Sequence, residues 1–140
     1  MFDIPIAMFQ EQPQKIIDQY ETRLTSYYPT RGDNATGCGL DVNDFEVNEY
    51  GWYTYQGKLV IATATEYLLN YGWRYREGVR LYHYYDELIL TIDGVDYPAI
   101  VLDSCGACMT TGRVDLFVVN RNAVIDQEIV VTEIENNEMI

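Results

Sequence analysis

The sequence predicts a mainly β protein built as a small closed barrel, with one N-terminal helix and short extra elements. Three observations carry that prediction. Apolar runs are short and rich in β-branched residues, as in Leu59-Val-Ile-Ala-Thr-Ala-Thr65 and Ala99-Ile-Val-Leu102. Turn signals built on Gly, Asn, Asp and Pro separate them at frequent intervals. Only one sizeable stretch repeats its apolar positions at helical spacing, and many strands with one helix argue for a barrel rather than a βαβ sheet. The 140 residues, 48% hydrophobic, suffice for one domain with its own core.

Taken in order, Met1 to Phe9 reads as a short apolar arm suited to adding to a neighbour's sheet. From Glu11 to Leu24 the residues Ile16, Ile17, Tyr20 and Leu24 recur at helical spacing, with Pro13 tolerated in a first turn. This predicts a helix that packs as a lid on the barrel or docks a partner. Residues 1–23 are thus read as arm and helix, 24–134 as the barrel and 135–140 as an acidic tail. Leu24 to Tyr28 reads as the first strand, stopped by Pro29, and Thr30 to Leu40 as a loop. That loop holds Arg31-Gly-Asp33 and Asn34-Ala-Thr36, an adhesion-type tripeptide and a glycosylation-type acceptor, both short enough to arise by chance.

Phe45 to Val47, Gly51 to Tyr55 and Leu59 to Thr65 follow as β elements, with Gln56-Gly57 as a tight turn. For Glu66 to Arg76, periodicity leaves a short helix and a long connection both open. Strands are expected over Val79 to Tyr84, Leu88 to Ile92 and Val95 to Leu102, with Asp93-Gly94 as a two-residue hairpin turn. After Leu116 to Val119, an Asn-Arg-Asn loop leads to Ala123 to Gln127 and a last strand from Glu128 to Ile134.

Composition narrows function. The 22 acidic and 9 basic residues give a formal net charge of -13, whose field repels nucleic acid and anionic membrane surfaces. No apolar run approaches the roughly twenty residues that span a bilayer, and Met1-Phe-Asp-Ile-Pro lacks the basic start and apolar centre of a secretion signal. The expectation is a protein made in the cytoplasm, without membrane insertion or nucleic acid as partner. Three cysteines allow one disulfide plus a free thiol, or three reduced thiols. Cys105-x-x-Cys108 suits redox exchange or half a zinc site, but no helix pattern follows it and the only histidine, His83, lies in a strand-like run. Neither a metal nor a cofactor is expected.

The chemistry concentrates between Tyr97 and Val119, where an apolar strand, an acid (Asp103), a small-residue loop, a second acid (Asp115) and another apolar strand succeed one another. Two carboxylates at strand ends, joined by a loop that lets a polymer approach closely, suit acid-base work on a sugar chain. The plainer reading is that such aspartates are turn residues bonded to loop amides.

These segments also carry a resemblance. Leu24-Thr-Ser-Tyr-Tyr28, Thr36-Gly-Cys38-Gly, Lys58 to Thr65, Asp103-Ser-Cys-Gly-Ala-Cys108 and Gly112-Arg-Val-Asp115-Leu-Phe117 together resemble the double-psi β-barrel superfamily. Within it the pattern is similar to the 3D domain and the barrel of membrane-bound lytic transglycosylase A, and more distantly to rare lipoprotein A, expansin and barwin. The match covers Leu24 to Asp126, with Asp103 to Phe117 its specific part.

The resemblance implies a six-stranded barrel whose shallow groove holds a glycan, commonly peptidoglycan. It makes Asp115 the catalytic acid and Asp103 the second marker, with Tyr28, Thr63, Gly106 and Gly112 on the substrate side. A third acid of the 3D pattern falls near Ile61 to Thr65, where this chain has Ala and Thr. It implies a bracing part for the cysteines, with Cys38 bonded to Cys105 or Cys108, or all three reduced. The expected function is therefore peptidoglycan degradation, as a lytic transglycosylase or glycosidase. A phage virion or lysis protein, made in the host cytoplasm and acting at the wall or beside tail proteins, fits the lack of an export signal. The competing expectation is a non-catalytic barrel that binds glycan or builds a tail tip or baseplate.

Overall fold

The computed structural model describes residues 15–30 and 35–135. Eight strands are found among them: β1 (Ile16–Tyr27), β2 (Glu46–Val47), β3 (Tyr53–Tyr55), β4 (Lys58–Thr63), β5 (Glu87–Ile92), β6 (Val95–Ser104), β7 (Val114–Phe117) and β8 (Gln127–Ile134). Two short helices, α1 (Glu66–Asn70) and α2 (Cys108–Thr111), and two single 3-10 turns complete them. The strands run in the order β2-β3-β4-β6-β5-β8-β1-β7, and β7 pairs back onto β4. That last pairing closes β4, β6, β5, β8, β1 and β7 into a six-stranded barrel, and β2 and β3 extend from the free edge at the start of β4.

The barrel is mixed. β1 and β7 run parallel, as do β4 and β6, whereas the other four contacts around the ring are antiparallel. Closure leaves no bare strand edge in the ring, which removes the usual template for sheet aggregation. Two hairpin turns sit where the sequence places them. Gln56-Gly57 and Asp93-Gly94 both carry two successive positive φ values, 53° and 82° in one and 54° and 80° in the other. That backbone twist matches the flanking strands, and a glycine takes the second position without steric cost.

Inside the ring, alternate residues of every strand interdigitate: Leu24, Ile61, Leu90, Val101, Val114, Leu116 and Val131 are all fully buried. Two satellite clusters lie on its outside. Val60, Ile100, Leu102 and Phe117 are covered by the Cys38–Phe45 loop, Tyr53 and Tyr55, while Ala62, Ala64, Leu68, Val79, Cys105, Cys108 and Met109 pack together under α1 and α2. Both faces of β6 over residues 99–102 and of β4 over residues 59–61 are therefore covered, which is why these segments read as continuous apolar runs. Each fully buried Leu or Phe contributes about 1.5–3 kcal/mol relative to exposure.

The helix expected over Glu11 to Leu24 is not found: from Ile16 onward the chain is strand. Its inward positions are Asp18, Tyr20, Thr22 and Leu24, and Ile16 and Ile17 stay exposed. Tyr20 and Leu24 are four apart, a spacing that satisfies period two as well as 3.6, so the pattern was ambiguous in the chain alone. An unbroken antiparallel ladder from Asp18↔Glu133 to Leu24↔Gln127 and a parallel one onto β7 decide it.

Val79 to Tyr84 is likewise no strand. It packs against inward side chains of the ring, with Tyr82 in the barrel's core cluster, and makes one parallel bridge, Thr65↔Tyr82, with Arg80 and Tyr82 spent on side-chain bonds instead. Ala123 to Gln127 follows a 3-10 turn at Arg121–Ala123 and joins β8 only at its end. The undecided stretch holds both answers, since α1 is capped by the Thr65 hydroxyl accepting from the Leu68 N–H and then gives way to an irregular connection. The Met1–Phe9 arm, residues 11–14 of the expected helix, Arg31-Gly-Asp33, Asn34 and residues 136–140 of the tail lie outside the described residues.

Candidate functional site

The two aspartates meet on the outside of the barrel. Ala62 on β4 is in register with Asp115 on one side and Asp103 on the other, and Asp115 is in register with Thr25 beyond it. Thr25, Asp115, Ala62 and Asp103 thus form one row across β1, β7, β4 and β6. Neighbouring strands lie about 4.8 Å apart, so the Asp Cα atoms stand about 10 Å apart with only an alanine methyl between them.

A bulge puts Asp103 in this row. Ile61 faces Val101, but the next residue, Ala62, faces Asp103 and skips Leu102. Strict alternation would send Asp103 to the barrel interior with Val101; the extra residue turns it to the outer face, a common use of bulges beside sites. β7 needs no such device, because Val114 and Leu116 enter the core and leave Asp115 and Phe117 on the other side.

Donors converge on Asp103. Its Oδ1 accepts from the Gly37 N–H at 2.8 Å and from the Ser104 N–H at 2.9 Å, and its Oδ2 accepts from the Tyr27 hydroxyl at 3.0 Å. A Cβ at Gly37 would stand 2.4 Å from the Tyr84 hydroxyl oxygen and 3.0 Å from Asp103 Oδ1, so a larger residue there would push Tyr84 aside. Burial, followed by the charge of Asp103, raises the Tyr27 phenol well above its ordinary range, so it is held as a donor.

Asp115 has a different environment. Burial pushes its carboxyl above the usual carboxylate range and the charge of Asp103 adds to this, against the Thr25 hydroxyl, which donates to Oδ1 at 2.8 Å, and the nearby Arg113. One row therefore holds a many-bonded carboxylate and a drier, more proton-retentive one.

A cavity of about 340 Å³ opens over the row, lined by both aspartates together with Tyr27, Tyr28, Ala35, Ala62, Ser104, Cys105, Gly106, Ala107, Arg113 and Phe117. Of the expected substrate-side residues, Tyr28 and Gly106 line it. Gly106 lies against the half-exposed Trp73 ring, whose Cζ3 a Cβ would approach to 2.3 Å. Thr63 does not line it: it is buried, and its hydroxyl donates to the Ala64 carbonyl. Gly112 ends α2 in a left-handed conformation, φ 74°, and its carbonyl accepts from the Thr22 hydroxyl.

Sequence reasoning passed over Thr25, Tyr27, Gly37, Ser104, Tyr84 and Arg113 as site residues. Thr25, Tyr27, Gly37 and Arg113 lie inside the recognised segments, beside residues that were singled out. Tyr84, whose hydroxyl shares a 2.8 Å hydrogen bond with Ser104 Oγ, comes from the segment that follows α1 and carried no local signal. A larger cavity, about 460 Å³, lies beside Arg80, Tyr82 and Glu133, but these groups already bond one another.

Cys105 and Cys108 are disulfide-bonded and Cys38 is a free thiol, which corrects the pairing of Cys38 with either. A backbone turn closed by the Cys108 N–H donating to the Cys105 carbonyl at 3.1 Å brings the i and i+3 sulfurs together, whereas Cys38 is held in the outer cluster near Leu40 and Phe45. The helix that the cysteine spacing lacked in the sequence is the one turn of α2. Among the described residues no group of three or more His, Cys, Asp or Glu side chains is arranged to hold a metal, and no helix is long and apolar enough to cross a membrane. Compared with known proteins, the chain matches no family model, no curated protein and no solved structure.

Proposed function

We propose that this chain is a double-psi β-barrel enzyme that cleaves a cell-wall glycan, as a lytic transglycosylase or a glycosidase, with Asp115 as general acid and base. The observation that carries the reading is the row itself: a carboxyl pushed upward by burial, two strands from a many-bonded carboxylate, both lining one open cavity. Environments that split two acids in this way assign them different roles. The closed mixed ring with two parallel pairings is compatible with double-psi topology.

In the transglycosylase route, protonated Asp115 gives its proton to the glycosidic oxygen as the bond from that oxygen to the anomeric carbon breaks. The resulting carboxylate takes the proton of the muramyl hydroxyl as that oxygen bonds to the anomeric carbon, closing the anhydro ring and restoring the acid. One residue serves both steps. Thr25 orients the carboxyl, and the Phe117 side of the cavity keeps it dry. In the hydrolytic route Asp103 would activate water, which requires carboxyl groups roughly 6.5–9.5 Å apart. The exposed faces of Tyr28 and Trp73 at the rim suit sugar rings.

The test is release of soluble muropeptides from purified peptidoglycan, with product masses. Wild type is expected to release anhydro-sugar products and Asp115→Asn to lose at least about 100-fold in rate while keeping its fold. No release by wild type, where a control enzyme acts, overturns cleavage. A second reading, a non-catalytic glycan-binding or assembly barrel such as a tail component, is favoured by the bonding of Asp103 to Gly37 and Tyr27, which braces the Cys38 loop against the barrel.

A further inference from the structure

We propose that Arg113 is an anion-recognising residue of the cavity and that its ligand is a carboxylate-bearing sugar, seated with the carboxylate on the guanidinium beside Asp115; the choice of a sugar rests on the glycan reading above. Arg113 is the only basic side chain among the described residues that line the cavity. It stands two positions before Asp115, and both side chains line the same cavity.

Its Nε is the only buried side-chain nitrogen or oxygen among the described residues that has no hydrogen-bond partner. Its guanidinium enters none of the ion pairs found among them, although the chain carries a formal charge of -13. Among the described residues Arg23 and Arg80 each face two acids and Lys58 faces one, whereas Lys15, Arg74, Arg76 and Arg121 share the lack of an ion pair but line no part of this cavity. That N–H is sealed from solvent, a costly state in a folded protein, while the side chain that carries it lines the cavity wall. The planar fork fits a carboxylate bidentately, which a flexible ammonium does not.

Occupancy would also act on Asp115. The groups facing it are Thr25 and Tyr27 from β1, Arg113 from its own segment and Asp103 from β6. Arg113 is one of the influences holding the Asp115 carboxyl down, and Asp103 one raising it. A ligand carboxylate on Arg113 offsets that positive charge and brings a negative one close, so binding moves Asp115 toward its protonated form. A sugar lacking the carboxylate does not.

The experiment is a calorimetric titration of the full chain with N-acetylglucosaminyl-N-acetylmuramic acid and with its methyl ester, in which a methyl group removes the carboxylate charge. Wild type is expected to bind the acid roughly ten- to a hundredfold more tightly. Arg113→Gln is expected to bring the acid down to the level of the ester, and Arg113→Lys to keep part of the preference. Carbon NMR of the Asp115 carboxyl should show its titration midpoint rising on addition of the acid in wild type and not in Arg113→Gln. Equal affinity for acid and ester in wild type, no binding of either, or an undiminished preference in folded Arg113→Gln overturns the proposal. Acid-selective binding without muropeptide release upholds Arg113 and sinks cleavage; release without selectivity does the reverse.

Discussion

Asp115 carries opposite consequences for chemistry and for stability. Its folded carboxyl holds a proton to higher pH than the unfolded one, because burial disfavours the charge and Asp103 adds to that. Between the ordinary carboxylate pKa of about 3.9 and the raised one, the native state binds more protons than the unfolded state, so stability falls as pH rises through that window. Asp115→Asn lacks this loss and keeps an acceptor for the Thr25 hydroxyl. Thermal melts should therefore find the variant more stable than wild type at pH 7, with the gap closing as pH drops below about 4. The same proton is the one the proposed cleavage would use, so a variant gaining stability while losing activity is the signature expected of a functional acid.

At the scale of elements, β1 and β8 hold a like-charge pair that a connection repairs. Asp18 and Glu133 are directly opposed in the ladder, an arrangement that by itself weakens a sheet. Arg80, from the segment that follows α1, reaches both: it donates to Asp18 Oδ2, and to Glu133 Oε2 at 2.9 Å, and its guanidinium lies 5.0 Å from the centre of the Tyr20 ring. Hydrogen bonding to Arg80 holds the Asp18 carboxyl below its usual range, so this pairing is lost only as pH falls through that lowered value. Removing the cation as Arg80→Met should cost about 1–2 kcal/mol, moderated by its partial exposure, and lower Tm by roughly 5 °C. Adding Glu133→Gln should restore part of the loss, and a double-mutant cycle of melts measures how much.

For the whole molecule, the net charge of -13 is a self-repulsion that acts mainly through solvent. Salt shortens its range, to about 10 Å at 0.1 M and about 3 Å at 1 M. Calorimetry should accordingly find Tm rising between 10 mM and 200 mM sodium chloride at pH 7, and a flat or falling trend would mean that local pairs such as Arg80 with its two acids dominate instead.

Much of the ring was legible in the chain. Gln56-Gly57 and Asp93-Gly94 announce their hairpins because a two-residue turn with positive φ has few sequence solutions, and the Ala99–Leu102 and Leu116–Val119 runs announce burial. Asp103 and Asp115 stood out because two acids at the ends of apolar runs are joined by one small-residue loop. What lies between them did not, since their approach depends on Ala62, a residue without a signal, being in register with both.

Composition and local pattern by themselves determined that this is an acidic, mainly β barrel with two acids at strand ends, for turn chemistry and burial act within a few residues. Only the tertiary structure decided that Ile16 to Leu24 is a strand, that Leu102 bulges and turns Asp103 outward, that Cys105 bonds Cys108 and that Arg113 lines the acids' cavity. Apart from the disulfide, which needs a local turn that the cysteine spacing does not by itself specify, each of these depends on a partner distant in sequence or on a backbone irregularity beyond the reach of alternation.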